Sequence, residues 1–139
     1  LVLAYHEAGH LIMVRHLGGT VLEASFGDAG TGYVRHDPFR SSPDEKMALV
    51  AAAGIAATTL KFKPEHRGAS SAATSDREEI ERRLRVLDDD RSCDDVVAQA
   101  REYLTEPWQN WLDVQEIAGH LSQRGTLTGE EINDLLGLR

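Results

Sequence analysis

The sequence predicts a mainly α-helical domain of about six helices with one small β-ribbon. Three observations carry that expectation. Long segments with helical apolar patterning are bounded by helix start and stop signals. Two short stretches rich in β-branched and aromatic residues flank a glycine-containing link. No internal repeat or long linker interrupts the 139 residues, a length that fits one domain with a modest core.

The first helix is expected over residues 2–17. It is apolar nearly all round, the pattern of a buried helix. Gly18-Gly19 ends it, since glycine accepts the left-handed conformation of a helix terminus. Residues 20–26 and 31–36 then read as strands joined through Gly27-Asp28-Ala29-Gly30, with Pro38 closing the ribbon. Ser42-Pro43-Asp44-Glu45 has the form of a helix start: a cap, proline at the first position, then acids facing the positive end of the dipole. That helix is expected to reach about residue 60, with a small-residue centre suited to close packing.

Residues 61–73 read as a loop. Ser75-x-x-Glu78 resembles a capping box opening a charged helix to about residue 87. The acidic break Asp88-Asp89-Asp90 fails the calcium-loop template, because Cys93 stands where the turn glycine belongs and Gln99 where the bidentate Glu belongs. It reads as a solvated turn. A helix over about 92–105 follows, and Pro107 restarts another with Trp108, Trp111 and Leu112 as anchors. Thr128-x-x-Glu131 caps a last short helix.

Composition narrows the function classes. The chain is 41% hydrophobic and 27% charged, ordinary for a globular protein. Its net charge of −8 argues against nucleic acid as a partner. No uncharged apolar run is long enough to span a membrane, and no signal peptide is evident. The single cysteine, Cys93, forms no internal disulfide, which agrees with a reducing compartment, so a cytoplasmic location is expected. Leu1 opens inside an apolar run, so the first helix reads as cut short, and membrane association through a preceding region stays open.

The chemistry concentrates at His6-Glu7-Ala8-Gly9-His10. Four residues apart on a helix means about 40° of rotation and about 6 Å of rise, so both imidazoles face one point, as two zinc ligands must. Glu7 projects beside that point and is placed to take a proton from water that zinc has brought to a pKa of about 7. A catalytic zinc site needs a third protein ligand. His16 has the spacing of a metzincin ligand, but Met13 stands where that motif has its turn glycine. With the helix continuing, His16 lies about 240° round from His10 and about 9 Å further along, out of reach. Asp76, placed at a helix start after an Ala/Ser/Thr loop, is the leading candidate, alongside Glu65, His66, Glu78 and Glu79. An acid there also complements the helix dipole without any metal.

Ala4-Tyr5-His6-Glu7-Ala8-Gly9-His10 closely resembles the zinc motif of FtsH-type peptidases, the proteolytic domain of membrane-bound ATP-dependent proteases. Gly32-Tyr33-Val34 resembles the strand after that family's first helix, and Ala53-Gly54-Ile55-Ala56-Ala57 its Ala-Gly-x-Ala-Ala helix. Ala72-Ala73-Thr74-Ser75-Asp76 resembles its Gly-Ala-x-x-Asp segment, whose Asp is the third zinc ligand. Gly125-Thr126-Leu127-Thr128-Gly129-Glu130-Glu131-Ile132 resembles its C-terminal segment. The family domain is mainly helical with a small β element. The resemblance implies Asp76 as third ligand. Three positions depart from the pattern: Thr58 stands in place of Glu, Ala72 in place of Gly, and Arg77 in place of an aliphatic residue.

The expected function is therefore a zinc-dependent metalloendopeptidase acting on peptides or unfolded protein without its own ATPase module. Zn2+ is held by His6, His10 and Asp76, and Glu7 is the general base. The strand over residues 31–36, with Gly32, Tyr33 and Val34, is expected either to accept an extended substrate by edge pairing or to serve ordinary packing or a subunit contact. An ATPase partner or a homo-oligomer fits the resemblance. The alternative is a zinc-binding FtsH-like interaction module with weak or no activity, favoured by Thr58 and the absent ATPase and opposed by an intact Glu7.

Overall fold

The computed structural model describes residues 1–27, 31–62 and 71–137. Among them, six helices and three strands follow in the order α1 (Val2–His16), β1 (Val21–Phe26), β2 (Gly32–His36), α2 (Pro43–Lys61), α3 (Ser71–Leu87), α4 (Cys93–Thr105), α5 (Trp108–Arg124), β3 (Thr126–Thr128) and α6 (Gly129–Leu136). The architecture is mainly α with a small antiparallel sheet, as the sequence predicts.

Two helices make the centre. α1 is buried from Ala4 to Gly9 and from Leu11 to Val14, and α2 from Ala48 to Thr58, so each is enclosed on all sides by other elements. They pack on each other; α5 and β1 cover α1, while α3 and α4 cover α2. Glycine and alanine at the α1–α2 crossing let the backbones meet. A Cβ on Gly9 would lie 2.5 Å from the Ala53 carbonyl oxygen and 2.7 Å from the Ala57 Cβ. No helix among the described residues is long and apolar enough to cross a membrane.

The strand order is β2-β1-β3, with β1 antiparallel to both neighbours. A bulge between Val21 and Glu23 shifts the β1–β2 register. β3 was not anticipated from the sequence: its three residues are shorter than any strand pattern and run directly into the α6 cap. That cap is as predicted. The Thr128 hydroxyl accepts from the Glu131 amide, and the Glu131 carboxylate accepts from the Thr128 amide. Gly18, at φ +83°, terminates α1 with Gly18 and Gly19 amides bonding back to Arg15 and Val14 carbonyls.

Several expectations are corrected. α3 begins at Ser71, a turn before Ser75, because the Ala/Ser/Thr stretch joins the helix rather than the preceding loop. Ser42 does not cap α2 through its side chain; it sits at φ 48°, in the left-handed region, while Pro43, Asp44 and Glu45 occupy the first turn as expected. The acidic break is a solvated turn as expected, and it also terminates α3. Asp88, at φ 52°, and Asp89 return their amides to Arg85 and Leu84 carbonyls, and the Asp89 carboxylate accepts from Arg91. Arg91 also reaches Glu45 of α2 at 2.7 Å. Of the three proposed anchors on α5 only Trp111 is buried, against Tyr5; Trp108 and Leu112 lie on the outer face. Residues 28–30 of the expected ribbon link lie outside the described residues.

The crossing yields a test against helix propensity. Alanine is the better helix former, yet Gly9→Ala forces its Cβ into the α2 backbone, so it is expected to lower stability by about 1–3 kcal/mol. A urea midpoint equal to or above wild type would contradict this packing.

Candidate metal centre

Helical spacing puts the His6 and His10 rings on one side of α1, with centroids 4.7 Å apart and planes at 89°. α2 fixes them from below. The His10 Nδ1 lies 2.6 Å from the Val50 carbonyl oxygen, so Nδ1–H donates and Nε2 faces Asp76. Both rings rest on Gly54, where a Cβ would lie 2.6 Å from His10 Cε1 and 2.9 Å from His6 Cε1. A glycine in the middle of an alanine-rich helix costs about 1 kcal/mol relative to alanine, and that cost was the available sign of a close approach here.

Asp76 arrives from α3. Its Oδ2 stands 2.6 Å from His6 Nε2 and 3.2 Å from His10 Nε2. These are ion-pair distances, and among the described residues the buried Oδ2 has no other polar partner than the two rings. An acceptor oxygen and two ring nitrogens aimed at one another is the arrangement expected of ligands sharing a cation. The three donor atoms lie within 4.8 Å of one another, against a spacing of about 3.3 Å between ligands on a tetrahedral zinc ion. The donor set of two imidazoles and one carboxylate suits zinc.

The electrostatics agree with a cation-binding role. Burial lowers the His10 pKa, but the Asp76 carboxylate beside it outweighs burial and holds it at about 9. Burial raises Asp76, and the two histidines outweigh that in turn, leaving it at about 2. Glu7, 3% exposed, is raised by burial against the lowering influence of His10 and His6.

Glu7 faces β2. A Cβ on Gly32 would lie 2.6 Å from Glu7 Oε2, so only glycine leaves room for the carboxylate at this point. A cleft of about 380 Å³ opens over the site, lined by β2 residues Gly32, Tyr33, Val34 and His36 on one wall and by Met47, Val50 and Ala51 of α2 on the other. Tyr33 turns outward, its hydroxyl donating to Glu23 at 2.5 Å, while Val34 is partly buried against the core.

The other candidates resolve as follows. His16 stacks on Tyr103 at 5.1 Å and pairs with Asn110 at 3.0 Å, outside the His6–His10–Asp76 cluster. Glu79 lines the cleft but is committed to Arg82 and Arg83. Glu78 is exposed and outside the ligand cluster. Glu65 and His66 lie outside the described residues. Asp76 is not in the first turn of α3, so the dipole explanation for it fails. Of the departures, Thr58 is fully buried with its hydroxyl donating to the Ile55 carbonyl, and Arg77 points outward to Asp94. No protein-family model and no curated protein matches this chain.

Two measurements follow. Asp76→Ala is expected to weaken zinc affinity at least about tenfold, whereas His16→Ala leaves it unchanged; equal affinities for the two variants would remove Asp76 from the ligand set. The proton on the His10–Asp76 pair competes with a metal. With His10 held at about 9, zinc affinity is expected to fall about tenfold per pH unit as pH drops from 8 to 6. A flat profile in chelator competition would contradict that coupling.

Proposed function

We propose that this chain is a zinc-dependent metalloendopeptidase acting on peptides or unfolded protein, with a site like that of FtsH-type peptidases. The convergence of His6 Nε2, His10 Nε2 and Asp76 Oδ2 beside the Glu7 carboxylate carries this reading. His6, His10 and Asp76 would hold the ion. Bound zinc supplies Lewis acidity, which makes water a proton donor near pH 7 and draws negative charge from a carbonyl oxygen.

The remaining work falls to this chain's own residues. Glu7 takes a proton from the attacking water and passes it to the departing amine, so water adds across the bond as hydroxyl on the carbonyl carbon and hydrogen on nitrogen. Burial supports that role by raising the basicity of the carboxylate. Gly32 leaves room for the Glu7 carboxylate against β2. β2 is an outer strand of the sheet, and its main chain at Gly32, Tyr33 and Val34 offers an extended peptide a row of hydrogen bonds.

Thr58 favours a second reading, a zinc-binding interaction module with little activity, since its buried hydroxyl is spent on its own helix and brings no carboxylate to the site. One pair of proteins separates the two. Glu7→Gln is expected to retain zinc and lose peptide hydrolysis by about 10²–10⁴-fold. Undiminished hydrolysis would remove Glu7 from the mechanism. A wild type that binds zinc yet cleaves neither casein nor short peptides would establish the module instead.

A further inference from the structure

The geometry points to Arg83 as a positioning residue of the metal centre: its ion pair with Asp44 fixes the roll of α3 on α2 and so aims Asp76 at the histidines. This rests on reading His6, His10 and Asp76 as zinc ligands.

Asp76, Ile80 and Leu84 follow at helical spacing along α3, with Ile80 fully buried and Leu84 nearly so. Seven residues return a helix to within about 20° of the same line, about 10 Å further on, so Arg83 meets α2 along the line that carries Asp76. There its guanidinium donates to Asp44 Oδ1 at 2.7 Å and to Glu79 Oε1 at 2.7 Å. Asp44 stands in the first turn of α2. The same helix, further along, holds His10 through the Val50 carbonyl and carries Gly54 beneath both rings. Arg83 thus ties the helix of the third ligand to the helix that orients the other two.

Apolar contact alone does not do this. The burial of Ile80 and Leu84 holds α3 against α2, but hydrophobic attraction is non-directional and leaves rotation about the helix axis soft. A roll of 20° moves a side-chain tip 5–6 Å off the axis by about 2 Å. Metal–ligand distances tolerate only about 0.2 Å. A charge-assisted contact from a planar guanidinium is directional and resists that roll. Without Arg83, Asp44 would lose this partner on α3, and Glu79 would keep only Arg82 on its own helix.

The pair is partly open to solvent, with side chains 22% and 28% exposed. Pairs of that kind contribute little to global stability. Positioning and general stabilisation therefore separate in a metal titration. Zn²⁺ affinity is measured by chelator competition for wild type, Arg83→Met, Arg83→Lys and Asp44→Asn, with urea unfolding of each under EDTA. Arg83→Met and Asp44→Asn are expected to bind zinc about tenfold more weakly, with unfolding midpoints close to wild type, and Arg83→Lys is expected to recover part of the loss. Wild-type affinity in both Arg83→Met and Asp44→Asn would overturn the inference while leaving the ligand assignment intact. So would zinc loss that merely tracks a fall in the EDTA midpoints. A wild type that fails to bind zinc would overturn both.

Discussion

The site depends on how closely α1 and α2 approach. Gly9 admits the Ala53 carbonyl, and Gly54 admits the two imidazoles, so each helix gives up a side chain where the other needs space. Because no side chain intervenes, His10 reaches a main-chain carbonyl of α2 directly, at 2.6 Å. A carbonyl inside a helix already accepts one bond and has a second lone pair for this purpose. The ring orientation is thus set by backbone, the least adjustable part of the protein. The other elements are arranged around this contact, α5 and β1 on α1 and α3 and α4 on α2.

Such packing places polar groups where burial is expensive. His6 and Glu7 are each 3% exposed within an otherwise apolar helix. Asp76 Oδ2 is buried with them, in ion-pair contact with both imidazoles. The opposing charges outweigh the burial of Asp76 and His10, as the downward displacement of Asp76 and the upward displacement of His10 indicate. The arrangement gathers buried donor atoms that face one another, which is the pattern of a site organised for a ligand.

What could be read in advance follows from range. His6, Glu7 and His10 lie on one helix, and helical spacing alone places them. The Thr128–Glu131 box and the glycines after α1 are equally local, and they stand where the sequence put them. Asp76 was a different case: on spacing it shared its claim with Glu65, His66, Glu78 and Glu79, and the resemblance singled it out. Its proximity to the histidines depends on α3 packing over α2, which no local pattern states. The same limit hid β3, whose three residues acquire strand structure only by pairing with β1. Trp108 misled for the converse reason: a large apolar residue at a helix start suits a core, but the turn of α5 directs Trp111 inward and Trp108 out.

The sheet, though small, is coupled to the candidate site through register. Phe26 opposes Gly32 and Ala24 opposes Val34, and the bulge before Glu23 sets where that alternation ends. With this register the residue facing Glu7 Oε2 is the one without a side chain. A slip of one residue would bring Thr31 or Tyr33 to that position and close the carboxylate off. β1 is pinned on its other side by β3, whose last residue is also the N-cap of α6. The C-terminal helix cap, far from the histidines in sequence, therefore helps to hold the strand alignment that leaves room for the Glu7 carboxylate.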